Sequence, residues 1–186
     1  MRKRLIAVIL LCAACVFSLA GCGYSRHRVK DKNALETEVF LDKPDSMVVT
    51  YHNKETELIG DEMDPVYEKF MELMSGLKSV SSLKMYFTQN KVREWRKEEL
   101  CIEFRYDRRR NYTGTLVGSE SNLDLFTWGN LKFDAMLLIL DGYGGINAVP
   151  YYNGSYRGVS DHFLTLGFDR AACADFRDLV GGYRKK

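Results

Sequence analysis

An imidazole beside a carboxylate is a common means of activating a nucleophile. Asp161-His162 is the one place where this 186-residue sequence sets the two side by side. Such a base would take the proton of a nearby Ser or Cys. Neighbours in an extended segment point to opposite faces, however, so the pair is poorly placed to share one hydrogen bond. His52 falls on the more polar face of an expected strand, and His27 lies in a polar N-terminal stretch. There is no Gly-x-Ser-x-Gly elbow and no His-Glu-x-x-His helix. The three histidines are scattered and show none of the spacings of zinc ligands. The acids Asp61, Glu62 and Asp64 precede an expected helix, where they suit its N-terminal dipole, and they are too close together for a calcium loop. Gly142-Tyr143-Gly144-Gly145 would need a helix directly after it to cradle phosphate, and Ile146–Pro150 reads as extended instead. No cofactor or metal motif is therefore assigned.

Two segments have the composition of binding surfaces. The aromatic loop Tyr151-Tyr152-Asn153-Gly154-Ser155-Tyr156-Arg157 combines rigid aromatic area with adaptable hydrogen-bonding groups, and Trp128, in the loop before the central strand at Met136–Leu140, is expected to join it. The other segment is a cationic ridge, Arg105 with Arg108, Arg109 and Arg110, which reads first as a solvated turn. Its sequence neighbours Lys91, Arg93, Arg96 and Lys97 add further positive charge.

The clearest element that would position these groups is a helix over about 64–76. Asp64 has the side chain of an N-cap, Pro65 suits the first turn, and Val66, Phe70, Leu73, Met74 and Leu77 form one apolar stripe. A second helix, about 170–181, is capped by Asp169 and carries Ala172, Phe176, Leu179 and Val180. Ser46–His52 and Glu55–Ile59 read as a hairpin turning at Asn53-Lys54. Leu83–Phe87, Glu99–Tyr106, Tyr112–Val117 and His162–Phe168 read as further strands, with a charged turn at Asp107–Asn111. Lys91–Glu98 fits either a helical turn or a strand. Met136–Leu140 is an unbroken apolar run, as expected for a strand covered on both faces. Connections too short for crossover helices point to an α+β domain: a mainly antiparallel sheet with two packing helices.

The N-terminus carries the address. Arg2, Lys3 and Arg4 precede an apolar run from Leu5 to Ala20, closing on Leu19-Ala20-Gly21-Cys22. The run is short for a membrane span and has the layout of an export signal. Its ending resembles the lipobox of bacterial lipoproteins. That resemblance implies diacylglyceryl transfer to Cys22, cleavage before it, and anchoring of the mature chain on the extracytoplasmic face of a membrane. Cleavage would remove 21 of the 186 residues and three of the 27 basic groups but none of the 25 acidic ones, turning the formal charge from +2 to −1. No electrostatic case for nucleic acid survives that change. Residues 22–38 read as a lipidated tether and 39–186 as a single globular domain. The sixteen residues after Cys22 would span roughly 20–24 Å as a flexible coil.

Cys101 and Cys173 are then the domain's two cysteines. A disulfide and two free thiols are both open, with the strand alternation leaning toward free thiols. The expected role is that of a non-catalytic binding or interaction lipoprotein for an envelope protein or glycan. A small envelope hydrolase or transferase using Asp161, His162 or His52, and an accessory subunit of a membrane complex, are the alternatives.

Overall fold

The computed structural model describes residues 34–84, 89–120, 125–140, 144–156 and 162–185. The chain divides into two units, Met1–Lys32 and Asn33–Lys186, and every described residue lies in the second. Cys22, His27, Arg157 and Asp161 fall outside the described residues, as do Gly142 and Tyr143 of the glycine cluster and the last three residues of the Leu83–Phe87 segment. No helix among the described residues is long and apolar enough to cross a membrane.

The elements run in the order β1 (Leu35–Thr37), β2 (Ser46–Tyr51), β3 (Lys54–Ile59), α1 (Asp64–Ser75), β4 (Ser79–Lys84), α2 (Gln89–Glu98) and β5 (Leu100–Val117). They continue through β6 (Leu125–Leu140), β7 (Gly145–Tyr152), β8 (Ser155–Tyr156), β9 (His162–Gly167) and α3 (Arg170–Gly181). The fold is α+β and mainly sheet. One sheet follows the path β3-β2-β5-β6-β7-β9-β4, with β1 added on β5 and β8 on β7. Every described pairing is antiparallel except that of β1, which runs parallel to Arg110–Tyr112. Leu35–Thr37 thus belongs to the sheet rather than to the tether, and the domain begins before residue 39.

The period of two in β5 explains the layers. Leu100, Ile102 and Phe104 face the large core with Met136, Leu138 and Leu140 of β6. Val66, Phe70 and Leu73 of α1 and Cys173, Phe176 and Val180 of α3 cover that face. Phe104 meets Phe70 edge-on at 5.1 Å, and Phe70 meets Phe176 at 6.0 Å, so one aromatic chain ties the sheet to both helices. Cys101, Leu137, Ile139 and Val149 face the other way, under Val92 and Trp95 of α2. Met136–Leu140 therefore has no polar position because both of its faces are covered.

Several local expectations shift. Lys91–Glu98 is part of a third helix, because Val92 and Trp95, three residues apart, both reach the small second core. Asp64 is the first residue of α1 and not its cap: a 3-10 turn at Gly60–Glu62 runs straight in, leaving Met63 already helical. Its carboxylate pairs with Lys43 instead. Asp169 does cap α3, accepting from the amides of Ala171 and Ala172. The hairpin turns one residue earlier than expected, at His52 and Asn53, both with positive φ (50° and 60°), which is the two-residue turn that matches strand twist. Phe40 and Leu41 form a turn ahead of β2, with Leu41 buried at φ 57°. β4 begins at Ser79, four residues before the strand expected at Leu83, because Val80 reaches the core between the edge-strand serines 79 and 81.

The largest change is in β5. Asp107–Asn111 is not a turn, and Tyr112–Val117 does not fold back on Glu99–Tyr106. One 18-residue strand runs through, paired with β6 along its length. Arg105 faces Ala135 and Arg110 faces Phe133, so residues 106–109 bulge opposite Asp134 alone.

Cys101 and Cys173 lie on opposite faces of the sheet, one in each core, and neither is in a disulfide. Burial also pushes the Cys101 thiol up to about 12, with the Arg96 charge opposing. Alkylation of the native chain at neutral pH is therefore expected to spare Cys101, and alkylation after unfolding without reductant to label both. Protection in the unfolded chain that reductant removes would show a disulfide and contradict this arrangement.

Candidate functional site

Beyond the small second core, the same face of the sheet turns polar and opens into a cavity of about 590 Å³. That volume is within the range of small-ligand sites. Its floor is set by the alternation of β5, which carries Glu103 and Arg105 in line after Cys101. Glu103 is buried, at 4% exposure, and such a carboxylate needs partners. Arg105 Nε donates to its Oε1 at 2.6 Å, and the Tyr156 hydroxyl donates to its Oε2. Burial first, and then the Glu103 charge, push the Tyr156 phenol well above its ordinary value, so it remains a proton donor at neutral pH.

The hairpin β7–β8 makes one wall. Asn153 and Gly154, at φ 50° and 78°, form its two-residue turn, so the segment expected to be a loop is a tight hairpin. The Asn-Gly pair is the usual signal of such a turn. Pairing of Tyr151 with Tyr156 brings the two rings edge to face at 5.0 Å, and both line the cavity. Tyr152 points elsewhere, with the Arg109 guanidinium over its ring at 4.5 Å.

Arg109 fastens this hairpin. It holds Asp134 through Nε at 2.8 Å and Nη2 at 3.2 Å, and it donates to Asn153 Oδ1 at 2.8 Å. The Asn153 amide in turn donates to Asp134 Oδ2 at 3.3 Å. Both carboxylate oxygens of Asp134 are thus occupied, and the bulge of β5 is what carries Arg109 to them. From the opposite side, Gln89 Nε2 donates to the Tyr156 carbonyl at 2.8 Å and joins α2 to the hairpin.

Arg96 of α2 lines the remaining edge with Ser46. Its Nη2 donates to Glu55 Oε1 at 2.9 Å and to the buried Thr50 hydroxyl at 3.3 Å. The β2–β3 turn holds the end of that helix: His52 Nδ1 donates to the Lys97 carbonyl at 2.9 Å, and the Asn53 amide to that of Arg96. These are carbonyls that a helix C-terminus leaves without internal partners. His52 is therefore a turn residue rather than a strand residue, with a structural bond to its Nδ1.

The aromatic segment thus supplies Tyr151 and Tyr156 to the cavity and Tyr152 to its support. Trp128 does not join them. It lies within β6, opposite Gly114, seven residues along the strand from Ala135 at the cavity, which is roughly 23 Å of extended chain. His162 begins β9, and β5, β6 and β7 separate that strand from β2, which leads into the His52 turn, so the two residues lie on strands far apart in the sheet. The cationic ridge is not a solvated turn: Arg105 and Arg109 hold the site's carboxylates, and Arg110 is buried against Asp42 with Tyr106 beneath it at 4.6 Å.

Glu103 and Asp134 carry no motif in the sequence. The usable signal for Glu103 was an acid within an alternating strand with an arginine two residues on. No cluster of three or more His, Cys, Asp or Glu with the geometry for a metal occurs among the described residues. The arrangement can donate and accept hydrogen bonds from fixed positions beside aromatic rings. Among the described residues lining the cavity, none is an imidazole, and Cys101 lies under α2. Compared with protein-family models, with curated proteins and with solved structures, the chain matches none.

Proposed function

We propose that this chain is a lipid-anchored, extracytoplasmic lipoprotein whose domain binds a ligand in the Glu103 cavity without transforming it. The convergence of Tyr151, Tyr156 and the Glu103–Arg105 pair on one cavity carries the reading. Rigid aromatic area beside fixed donors and acceptors is the composition of recognition sites. The pairing of Glu103 and Asp134 with guanidinium groups supports binding over catalysis, because an acid held by permanent donors is a poor proton shuttle. Leu19–Cys22 supports the address.

Photo-crosslinking in growing cells tests this reading. p-Benzoylphenylalanine in place of Tyr151 is expected to give a light-dependent adduct. The same residue in place of Val117, exposed at the far end of β5, is expected to give none. No adduct at position 151, or equal adducts at both positions, would remove the cavity as a binding site.

A further inference from the structure

We infer that the ligand of this cavity is an uncharged saccharide, stacked on Tyr151 and hydrogen-bonded by the Glu103–Arg105 pair. The inference rests on the binding reading above and goes further by assigning the chemical class of the ligand.

Charge is the first observation. Of the five ionised side chains that line the cavity, four are matched within the protein, Glu103 with Arg105, Asp134 with Arg109, and Arg96 with Glu55, and the fifth, Asp107, is exposed to solvent at the rim. A charged ligand engaging Glu103, Arg105, Asp134 or Arg96 would have to displace one of these partners and leave a poorly hydrated charge behind, which is costly, whereas Asp107 at the rim is already hydrated. A neutral polar ligand leaves all three pairs intact.

Geometry is the second. A carboxylate locked to a guanidinium sets acceptors and donors side by side at fixed spacing. A vicinal diol is complementary to that array, since one hydroxyl donates to the carboxylate while its neighbour accepts from the guanidinium. Glu103 receives one bond on each oxygen, and a carboxylate can accept about four. Arg105 spends its Nε on Glu103, and its side chain stays 40% exposed on the cavity side of the strand.

The third observation is the corner formed by the two tyrosines. The Tyr156 ring packs on the small second core and its hydroxyl is committed to Glu103, so it is fixed. Tyr151 stands against it at 65° and is half-buried. An aromatic face carries negative potential and attracts polarised C–H groups, and the C–H-rich face of a pyranose presents several together. A ring platform beside paired donors and acceptors therefore suits a molecule with one apolar face and a hydroxylated rim.

The test is titration of the purified chain, held in detergent, with four uncharged probes: maltotriose, cellotriose, mannotriose and triacetylchitotriose. At least one is expected to bind with Kd of about 1 mM or tighter. Tyr151→Ala should weaken that probe by roughly tenfold, while Tyr151→Phe, which keeps the ring, should stay within about threefold. Between about 0.05 and 0.5 M salt the affinity should change by less than about twofold, because no ligand charge is screened. Failure of all four probes to bind, or binding indifferent to Tyr151→Ala, would overturn the saccharide assignment. A salt dependence of tenfold or more would do the same by showing a charged ligand. The two proposals fail separately. A protein adduct at position 151 without any sugar binding would sink the saccharide alone, whereas no adduct there would remove the binding site and the saccharide with it.

Discussion

Replacing Cys22 with Ala is expected to stop maturation altogether, leaving a precursor that keeps all 21 residues before it and takes up no labelled fatty acid. The expectation follows from Leu19-Ala20-Gly21-Cys22 and from chemistry that has no substitute at that position. The thiol is the nucleophile that would receive the diacylglyceryl group, and a methyl side chain has no atom that could. One acyl chain holds a protein on a bilayer only marginally, whereas two hold it firmly, so the loss is of anchoring itself and not of a fraction of it. The precursor's apolar run from Leu5 to Ala20 remains, so membrane fractionation alone would mislead. The informative measurements are electrophoretic mobility and fatty-acid labelling. A Cys22→Ala chain of normal mature mobility would end the lipoprotein reading, and the proposed address with it.

Phe104→Ala is expected to be the most damaging single truncation in the described core. Phe104 is fully buried, packs edge-on against Phe70 and lies 6.4 Å from the Tyr67 ring, so its removal opens a cavity where β5 meets α1. Truncating a buried Phe costs about 3–5 kcal/mol. Domains hold about 5–15 kcal/mol in all. For a chain of this length that loss lowers the melting temperature by roughly 6–20 °C. Ile59→Ala serves as the control: it sits on the outer strand β3 at 61% exposure, and its effect should stay within about 0.5 kcal/mol. Thermal unfolding followed by circular dichroism checks both. A Phe104→Ala chain that melts within about 2 °C of the parent would mean that the aromatic chain from β5 through Phe70 to Phe176 is not the core.

Much of the fold was legible where one local rule sufficed. The stripes of α1 and α3 were readable because every fourth residue meets the same core, and the Asp169 cap because its partners are two and three residues away. The apolar run Met136–Leu140 announced a strand covered on both sides for a similar reason. The errors came where distant contacts outweighed local preference. Asp107-Arg108-Arg109 has turn composition, yet β6 pairs along both sides of it and holds the chain extended, with the surplus residues pushed into a bulge. Lys91–Glu98 was ambiguous because its helical stripe has only two apolar positions, Val92 and Trp95, and the surface they cover lies on another element. Asn153-Gly154 has the composition of a hairpin turn, yet the tyrosines and Ser155 around it give the segment that of a binding loop as well, and strand pairing decides between them.

Amino-acid order alone determined the export layout, the lipobox resemblance, the two striped helices and the class of the fold. Each depends on residues near one another in the chain, where spacing is itself the physical constraint. The cavity could be decided only in three dimensions. Glu103, Asp134 and Tyr156 come from three strands, and Arg96 from a helix whose end is pinned by the His52 turn. No local rule predicts that a bulge will carry Arg109 to Asp134 and fasten the hairpin that presents Tyr151. Strand register sets those meetings. Register depends on the summed packing of both faces of the sheet, which no short stretch of sequence contains.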